Sequence, residues 1–215
     1  MSGIGPSRPL VLASASPRRV QLMQMLGLPF TQDPSHQEEP LPEALPGALD
    51  PAAWAMRQAV SKARDVARRH PGALVIGADT VVEVDGRLLG KPRDRSDAVA
   101  MLSTLAGREH RVASGVAVVD AATGREATGS RLTRVWIRPL AQEEIEAYVA
   151  TGEPMDKAGA YAIQGLGATL VARIDGCYFN VVGLPLPLLA DLLAQFGVRV
   201  LAVRGAATLR GGGSR

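Results

Sequence analysis

The segment at residues 10–19, LVLASASPRR, combines residue types that bind a phosphate chain. A short apolar run ends in small hydroxylated residues, and Ser16 and Pro17 suit a helix N-cap and a first helical position. Arg18 and Arg19 then fall in the first helical turn, where cations are unfavourable beside the positive end of the helix dipole. Backbone N–H groups and two guanidinium groups directed at one place predict a polyanion site, with a phosphate chain as the favoured ligand. An ordinary strand–turn–helix with two solvated arginines is the alternative.

An aspartate stands where the next strand-like run is interrupted. Residues 73–78 are continuously apolar, the pattern of a strand buried on both faces, and Asp79 and Thr80 follow them. A carboxylate at the end of a buried strand is costly unless a cation or a metal uses it. Ligands of open α/β sheets gather beyond the carboxyl ends of the strands. Asp79 is therefore a candidate site residue, and a turn aspartate that accepts backbone N–H bonds is the alternative.

Two lysines are candidates for the same place. Lys91 follows a hairpin signal at residues 85–86, and the hairpin returns the chain to the vicinity of Asp79. Lys62 stands near the edge of the apolar face of a predicted helix, from which its long stem can place the ammonium group in a cleft. For each lysine, a solvated position on the surface is the alternative.

Two further segments can approach a ligand. Glu38 and Glu39 form an acidic pair in a proline-rich loop, from which one carboxylate can reach a metal ion. Residues 156–165, DKAGAYAIQG, place small residues and glycines around two charges, a composition that lets the backbone approach a ligand closely. A solvated acidic pair and a plain glycine-rich turn are the alternatives. The sequence contains no P-loop, no GxGxxG, no GxSxG and no histidine pair at metal-ligand spacing.

The elements that must position these residues alternate between strand-like and helix-like patterns, which predicts an α/β fold. Hairpin signals at residues 85–86 and 175–176 require antiparallel edges, so the sheet is predicted to be mixed. The predicted helices cover residues 17–26, 51–67, 96–106, 143–150 and 185–196. The predicted strands cover residues 10–13, 73–78, 81–84, 87–89, 112–119, 131–137, 169–174 and 177–182.

Composition limits the class of protein. The chain has 215 residues, of which 47% are hydrophobic and 21% charged, so it can build one packed domain or two lobes that share a core. No apolar run approaches the length of a membrane span, and the N-terminal apolar stretch is too short for a secretory signal. The single cysteine, Cys177, excludes an internal disulfide and suits a cytoplasmic location.

Charge argues against a nucleic-acid partner. Four arginines and no acidic residue follow Leu192, and without them the formal net charge changes from +3 to −1. The body of the chain is therefore near neutral, and with only 4% aromatic residues a platform for base stacking is not expected. Residues 1–204 are predicted to form a single domain with two lobes, and residues 205–215 a flexible, basic, glycine-rich tail.

Five segments in order resemble the Maf (septum-formation inhibitor) family of nucleoside triphosphate pyrophosphatases. They are SASPRR at 14–19, GADTVV at 77–82, LGKP at 89–92, DKAGAYAIQG at 156–165 and NVVGLPL at 180–186. Each segment is weak alone, but five in order at these separations are specific. The resemblance runs from Leu10 to about Gly197 and implies a two-lobed α/β fold like that of inosine triphosphatase. That fold has an elongated mixed sheet flanked by helices, with a cleft between the lobes.

The resemblance also implies an activity and a set of site residues. The family cleaves the α–β phosphate bond of a nucleoside triphosphate with a divalent cation, Mg²⁺ or Mn²⁺, and forms homodimers. Its catalytic aspartate falls on Asp79, which acts as the base or as a metal ligand. The phosphate contacts fall on Ser14, Arg19, Lys62 and Lys91, the acidic metal-loop residue on Glu38, and the specificity positions on Arg18, Thr80 and Gln164. The family often has Asp-Glu in the acidic loop, whereas Gln37 precedes Glu38 here, so that Glu39 is an alternative to Glu38.

The three specificity positions match the pyrimidine-selective branch of the family. The resemblance thus predicts hydrolysis of dTTP and UTP to the monophosphate and pyrophosphate, with a role in clearing non-standard nucleotides. One alternative is the sister branch, which acts on 7-methyl-GTP. The other is a non-catalytic regulator of septum formation, against which the presence of Asp79 and of both arginines and both lysines argues.

Overall fold

The computed structural model describes residues 8–37 and 50–201. In this part of the chain six α-helices and seven strands alternate, which confirms the α/β fold with a mixed sheet. The strands are β1 Leu10–Leu12, β2 Thr31–Gln32, β3 Leu74–Val84, β4 Arg87–Leu89, β5 Glu109–Asp120, β6 Glu126–Ile137 and β7 Val171–Asp175. The helices are α1 Pro17–Met25, α2 Pro51–Ala67, α3 Arg95–Leu105, α4 Gln142–Ala150, α5 Tyr178–Val182 and α6 Leu186–Ala194. Three 3₁₀ helices, Glu153–Asp156, Ala158–Ala160 and Gly165–Thr169, lie between α4 and β7.

Strand β3 is the centre of the sheet. The order is β2-β1-β3-β5-β6-β7, with β1 parallel to β2 and β3 and with antiparallel pairing from β3 to β7. One edge of β3 pairs with β5 along residues 74–83. The opposite edge is shared by β1, which pairs with residues 74–76, and by β4, which pairs with residues 82–84. A gap between β1 and β4 therefore faces the middle of β3.

The apolar core is divided into separate clusters at the level of the gap between β1 and β4. On one face, a cluster around Ile76 and Leu189 lies under α1 and α6, and a second cluster around Val82 and Leu102 lies under α3 and α4. Helix α2 covers the other face with alanines that pack on Val75 and Val81. Polar or small residues separate the clusters in β3 and β5. They are Asp79 and Thr80 in β3, paired with Gly115 and Ser114 in β5.

Helix α2 lies directly on the backbone of the sheet. A Cβ atom at Gly77 would stand 2.2 Å from the carbonyl oxygen of Ala59, and one at Gly115 would stand 2.2 Å from the backbone nitrogen of Met56. Neither position has room for a side chain, so glycine sets the distance between helix and sheet. This close contact brings Lys62 of α2 to the middle of β3.

The predicted break in the strand at Asp79 and Thr80 is wrong. Strand β3 runs without interruption from Leu74 to Val84, so Asp79 lies in the middle of the strand and not at its end. Cross-strand pairing with β5 continues through both residues. Their polar side chains have partners within the protein, described below, and so do not terminate the strand.

The second predicted hairpin is also wrong. Residues 171–175 do form a strand, β7, but it pairs with β6, and the following segment is the short helix α5. Periodicity cannot separate a short buried strand from a buried helical turn, and this run is apolar apart from Asn180. Asn180 decides the conformation because its buried amide donates to the carbonyl of Val112 and to Thr133 Oγ1, both at 2.9 Å. The cap of α3 differs as well, since Asp94, and not Ser96, accepts the N–H of Asp97.

Strand β2 and the three 3₁₀ helices were not predicted, and β6 begins five residues before its predicted start. The other elements follow the predictions within a few residues. In the parts of the chain that the structure describes, no helix has the length and apolar character that crossing a membrane would need. The proposed tail at 205–215 and the acidic loop residues Glu38 and Glu39 lie outside the described ranges. The division into a domain at 1–204 and a tail therefore stays a prediction.

Candidate active site

A cavity of about 680 Å³ lies at the gap beside the middle of β3. Its walls come from the β1–α1 loop, α2, β3, the end of β4, residues 156–164 and residues 181–183. Every predicted site residue in the described ranges lines it. They are Ser14, Arg18, Arg19, Lys62, Asp79, Thr80, Lys91 and Gln164. The structure thus brings together residues that are up to 150 positions apart in the sequence.

Asp79 and Lys62 form a buried ion pair in the cavity wall. Asp79 projects from β3 towards α2, and Lys62 Nζ donates to its Oδ1 at 2.6 Å. The two residues are only 5% and 6% exposed, so the alternative of a solvated surface lysine is wrong for Lys62. Burying two charges is favourable only when they are closely paired and form further hydrogen bonds. The fold must therefore hold Asp79 and Lys62 in a defined geometry.

Thr80, the next residue in β3, projects to the opposite face and contacts Arg19. The Arg19 guanidinium donates from Nη2 to Thr80 Oγ1 at 3.2 Å, from Nη1 to Ser14 Oγ at 3.3 Å and from Nε to the carbonyl oxygen of Gly183 at 2.9 Å. Three separate elements hold this one side chain. Its orientation is thereby fixed before any ligand binds, which lowers the entropy cost of binding.

A fully buried serine extends this network behind Thr80. Ser114 Oγ lies 2.8 Å from Thr80 Oγ1 and donates to the carbonyl oxygen of Asn180 at 3.1 Å. The turn before α1 is held in a related way, because Ser14 Oγ accepts the N–H of Ser16 at 3.2 Å. Ser16 occupies the predicted N-cap position, but its own side chain makes no capping hydrogen bond.

Arg18 turns away from β3 towards the glycine-rich segment. Its Nη1 donates to Asp156 Oδ2 at 3.1 Å, and Lys157 Nζ bonds Asp156 Oδ1 at 2.6 Å. Burial raises the pKa of Asp156, but the hydrogen bond from Lys157 and the charges of Arg18 and Lys157 outweigh it, so this pKa lies below its ordinary value. Asp156 is therefore a carboxylate at neutral pH and fixes the direction of Arg18.

Lys91 and Gln164 complete the rim of the cavity. Lys91 is exposed and follows β4, where the carbonyl oxygen of Gly90 accepts the N–H of Gly159 at 3.0 Å and so joins the hairpin to the glycine-rich segment. Gln164 is half-buried. Among the described residues, none forms a hydrogen bond with the Gln164 side chain, so its amide is available to a ligand.

Sequence reasoning missed several residues of the cavity wall. Trp54 and Gln58 line it together with Lys62, and all three come from α2. Their spacing of four residues places them along one side of the helix, and this spacing is the signal that could have found them. Tyr161 also lines the cavity, and its hydroxyl lies 2.7 Å from Nε2 of His110, a buried residue in β5.

The donor set fits a divalent cation held mainly by substrate. In the described ranges no group of three or more His, Cys, Asp or Glu side chains could hold a metal ion. Of the acidic residues that the structure describes, Asp79 and Asp156 line the cavity, and Asp156 is occupied by Arg18 and Lys157. Mg²⁺ is commonly bound through one or two carboxylates together with phosphate oxygens and water. Asp79 with a phosphate chain matches that pattern.

Comparison with known proteins agrees with the geometry. A family model described as "Maf-like protein" matches residues 9–196. The chain belongs to the Maf family. A relative from Moorella thermoacetica named "dTTP/UTP pyrophosphatase" is 56% identical over 191 residues, which cover 89% of this chain and 96% of the relative. A relative of the same name from Gloeobacter violaceus is 51% identical over 191 residues, covering 89% of this chain and 97% of the relative.

One solved structure also shows a partial likeness. It is the nucleoside-triphosphatase / dITP/XTP pyrophosphatase from Mycobacterium abscessus, with 20% identity and a TM-score of 0.40. The superposition covers 60% of this chain and 74% of the other chain.

Proposed function

We propose that this Maf-family protein hydrolyses dTTP and UTP to the nucleoside monophosphate and pyrophosphate. The observation that carries the proposal is the cavity in which Asp79, paired with buried Lys62, shares the walls with Arg18, Arg19 and Lys91. A triphosphate carries several negative charges, and this arrangement of fixed cations is suited to a phosphate chain. Relatives that match almost the whole chain carry the name of this activity.

The phosphate chain binds to side chains from three elements. Arg19 and Ser14 come from the β1–α1 region, Lys62 from α2 and Lys91 from the end of β4. These groups neutralise the charge that develops on the leaving pyrophosphate, which is the main requirement in phosphoryl transfer. Their placement on separate elements surrounds the chain without a P-loop.

Asp79 acts on the water that attacks the α-phosphorus. Lys62 occupies Oδ1, so we assign the proton of the attacking water to Oδ2. In the alternative role, Asp79 with Glu38 of the acidic loop would hold Mg²⁺ or Mn²⁺, which when bound polarises phosphoryl oxygens and lowers the pKa of water. The Lys62 ammonium keeps the carboxylate in a fixed orientation in both roles.

The nucleobase is read by Gln164, Arg18 and Thr80. Uracil and thymine present two carbonyl acceptors on either side of one N–H donor, and the Gln164 amide can donate to one group and accept from the next. Arg18 donates to a carbonyl or a phosphate oxygen, and Thr80 forms the adjacent wall. A base that leaves these polar groups unpaired is rejected strongly. This predicts dTTP and UTP as better substrates than CTP, GTP or 7-methyl-GTP.

Product analysis with Mg²⁺ or Mn²⁺ tests the reaction. We expect UMP and pyrophosphate from UTP, with no orthophosphate in the first turnovers. Formation of UDP and orthophosphate would contradict the proposal. The ratio of kcat/KM values across dTTP, UTP, CTP, GTP and 7-methyl-GTP tests selectivity, and a preference for 7-methyl-GTP would move the chain to the sister branch.

The proposal includes a homodimer in the cytoplasm that does not bind nucleic acid. The near-neutral charge of residues 1–191 supports the absence of a nucleic-acid partner, and the single cysteine supports a reducing compartment. Clearance of non-standard nucleotides is the cellular role we propose. A purely structural role in septum formation would require no turnover, which the product analysis measures directly.

A further inference from the structure

The loop that carries Gln164 is anchored on its N-terminal side by a tyrosine of α4. Tyr148 Oη accepts the N–H of Ala162 at 3.3 Å, two residues before Gln164. The same hydroxyl donates to Glu153 Oε1 at 2.9 Å. Tyr148 is itself buried, so this contact ties the loop to the core cluster beneath α4.

The C-terminal side of the loop is anchored by the same Glu153. Its Oε2 accepts the N–H of Leu166 and its Oε1 accepts the N–H of Gly167, both at 3.0 Å. Gln164 therefore lies on a short loop whose two ends are both held by the Glu153 carboxylate, one end through Tyr148 and the other directly. Burial raises the pKa of Glu153, but the backbone N–H of Gly167, the Tyr148 hydroxyl and the N–H of Leu166 outweigh it and lower this pKa. Glu153 is thus a carboxylate at neutral pH.

The residue that follows Gln164 lies very close to this carboxylate. Gly165 has a φ of +63°, which favours glycine, and a Cβ atom there would stand 2.7 Å from Glu153 Oε2. The backbone at Gly165 therefore lies so close to Glu153 that a residue with a side chain does not fit there.

We propose that Glu153 is a positioning residue that holds Gln164 against the nucleobase and thereby sets the preference for uracil and thymine. The inference rests on the proposed function, because it assigns the support of the base-reading side chain of that same cavity. Glu153 does not line the cavity, and it acts through the backbone of residues 162–167. It is neither among the residues expected from the sequence nor a contact of the phosphate chain.

A change of Glu153→Gln removes this support with little change in size. All three groups bonded to the carboxylate are donors, so an amide nitrogen in either position faces at least one N–H and leaves it without an acceptor. We expect the ratio of kcat/KM for UTP to that for CTP to fall about tenfold, the size typical of one lost charge-assisted hydrogen bond. The loss falls on UTP and dTTP, while kcat/KM for CTP changes little.

Glu144→Gln is the matched control. Glu144 also accepts a backbone N–H, that of Ala141 at 3.0 Å, and pairs with Arg138, but it does not line the cavity and its hydrogen bonds are not to residues 162–167. The control variant should keep the wild-type ratio of UTP to CTP. Thermal unfolding of both variants separates a loss of stability from a loss of selectivity.

A double-mutant cycle with Gln164→Ala shows whether Glu153 acts through Gln164. If it does, Glu153→Gln changes the UTP-to-CTP ratio in the wild-type background and leaves it unchanged in the Gln164→Ala background. A merely structural role would lower kcat/KM for every nucleotide by a common factor in both backgrounds. Gly165→Ala, which pushes a methyl group against the carboxylate, is a second disruption and should reproduce the change in ratio.

Each outcome decides the inference. Unchanged selectivity in Glu153→Gln and Gly165→Ala would overturn it, as would a wild-type enzyme that hydrolyses all bases alike. Equal losses for all nucleotides would also overturn it and leave Glu153 a stabilising residue only. Failure of the wild-type protein to release pyrophosphate from any nucleotide would instead contradict the proposed function, so the two failures are distinguishable.

Discussion

The two sides of the cavity are built in different ways. The side with Asp79 consists of a long central strand and helix α2, which contact each other through the backbone at Gly77 and Gly115. The side with Gln164 consists of 3₁₀ turns held by bonds between side chains and backbone, centred on Glu153. The first kind of construction fixes charges that every triphosphate needs, whereas the second supports a loop whose sequence can change without altering the sheet.

This difference predicts separable effects of mutation. A change at a residue that acts on the phosphate chain, such as Asp79 or Lys62, should reduce hydrolysis of all nucleotides, because every substrate presents the same phosphates. A change on the turn side should alter the choice of base and leave the common chemistry in place. The mutations below test that division, beginning with the largest expected effect.

Asp79→Asn should abolish most of the activity with every nucleotide. Loss of a general base or metal ligand typically lowers the rate roughly 10²–10⁴-fold. The amide oxygen can still accept a hydrogen bond from Lys62, but the charge pairing is lost, so the midpoint of thermal unfolding should also fall. Steady-state release of pyrophosphate and thermal unfolding measure the two effects.

Glu83→Gln is the matched control for that variant. Glu83 lies four residues further along the same strand, is also buried, pairs with Arg111 and accepts the N–H of Gly86, but does not line the cavity. It should lose stability and keep turnover. Near-full turnover in Asp79→Asn would place the catalytic carboxylate elsewhere, with Glu38 the next candidate.

His110 should make stability depend on pH, because its ring is buried behind the cavity wall. Its ring contacts the hydroxyl of Tyr161, and burial lowers its pKa from 6.5 to about 4, slightly offset by the charge of Glu83. Below pH 6.5 the unfolded chain binds a proton that the folded protein does not accept until about pH 4. Stability is therefore present above pH 6.5 and falls by about 3 kcal/mol as the pH decreases to 4.

Urea unfolding between pH 7.5 and pH 4 measures this dependence. His110→Gln should flatten it, and His36→Gln, which changes an exposed histidine, should leave it as in the wild type. Acidic groups with lowered pKa values, such as Asp33 at about 2, begin to add to the loss of stability below about pH 5, so the contribution of His110 is read between pH 7.5 and pH 5. A dependence that persists in His110→Gln would assign the titration to another group.

Arg19→Ala and Lys91→Ala should weaken all nucleotides alike. Each removes a charge-assisted contact to phosphate, worth about 1.5–3 kcal/mol, or roughly a ten- to hundredfold loss in kcat/KM. Their effects on folding should differ, because Arg19 has three hydrogen bonds within the protein whereas Lys91 is exposed. Only Arg19→Ala should lower the unfolding temperature.

Arg87→Ala provides a control for loss of surface charge near the same hairpin. Arg87 is exposed in β4 and does not line the cavity, so its removal should leave kcat/KM unchanged. A change in base preference in Arg19→Ala or Lys91→Ala would show that these phosphate-binding residues also read the base.

The sequence predicted the strand side better than the turn side. Apolar periodicity locates β3 and α2, and the hairpin at residues 85–86 returns the chain so that Lys91 lines the same cavity as Asp79. The burial of Lys62 was not predicted from its helix alone, since it depends on the contact of α2 with Gly77 and Gly115. That contact joins segments that are far apart in the chain, so the local sequence pattern around Lys62 cannot predict it.

The turn side could not be derived from periodicity. Residues 153–169 are short 3₁₀ helices whose shape depends on where the Glu153 carboxylate finds its donors, and α5 depends on the buried amide of Asn180. Only the family resemblance placed Gln164 in the site. Glu153 itself gave no signal, because a lone glutamate before a proline has the pattern of a solvated loop residue.

The smallest effect is expected from Asp156→Asn, which tests whether all supports on the turn side matter equally. Asp156 lies in the same 3₁₀ helix as Glu153 and directs Arg18, as Glu153 directs Gln164. Its side chain is 58% exposed, however, and an exposed ion pair contributes only about 0.2–1 kcal/mol. We therefore expect the UTP-to-CTP ratio to change less than about fivefold, below the effect of Glu153→Gln, and to change less still in high salt, which screens the pair. A larger change than in Glu153→Gln would make Arg18, and not Gln164, the main reader of the base.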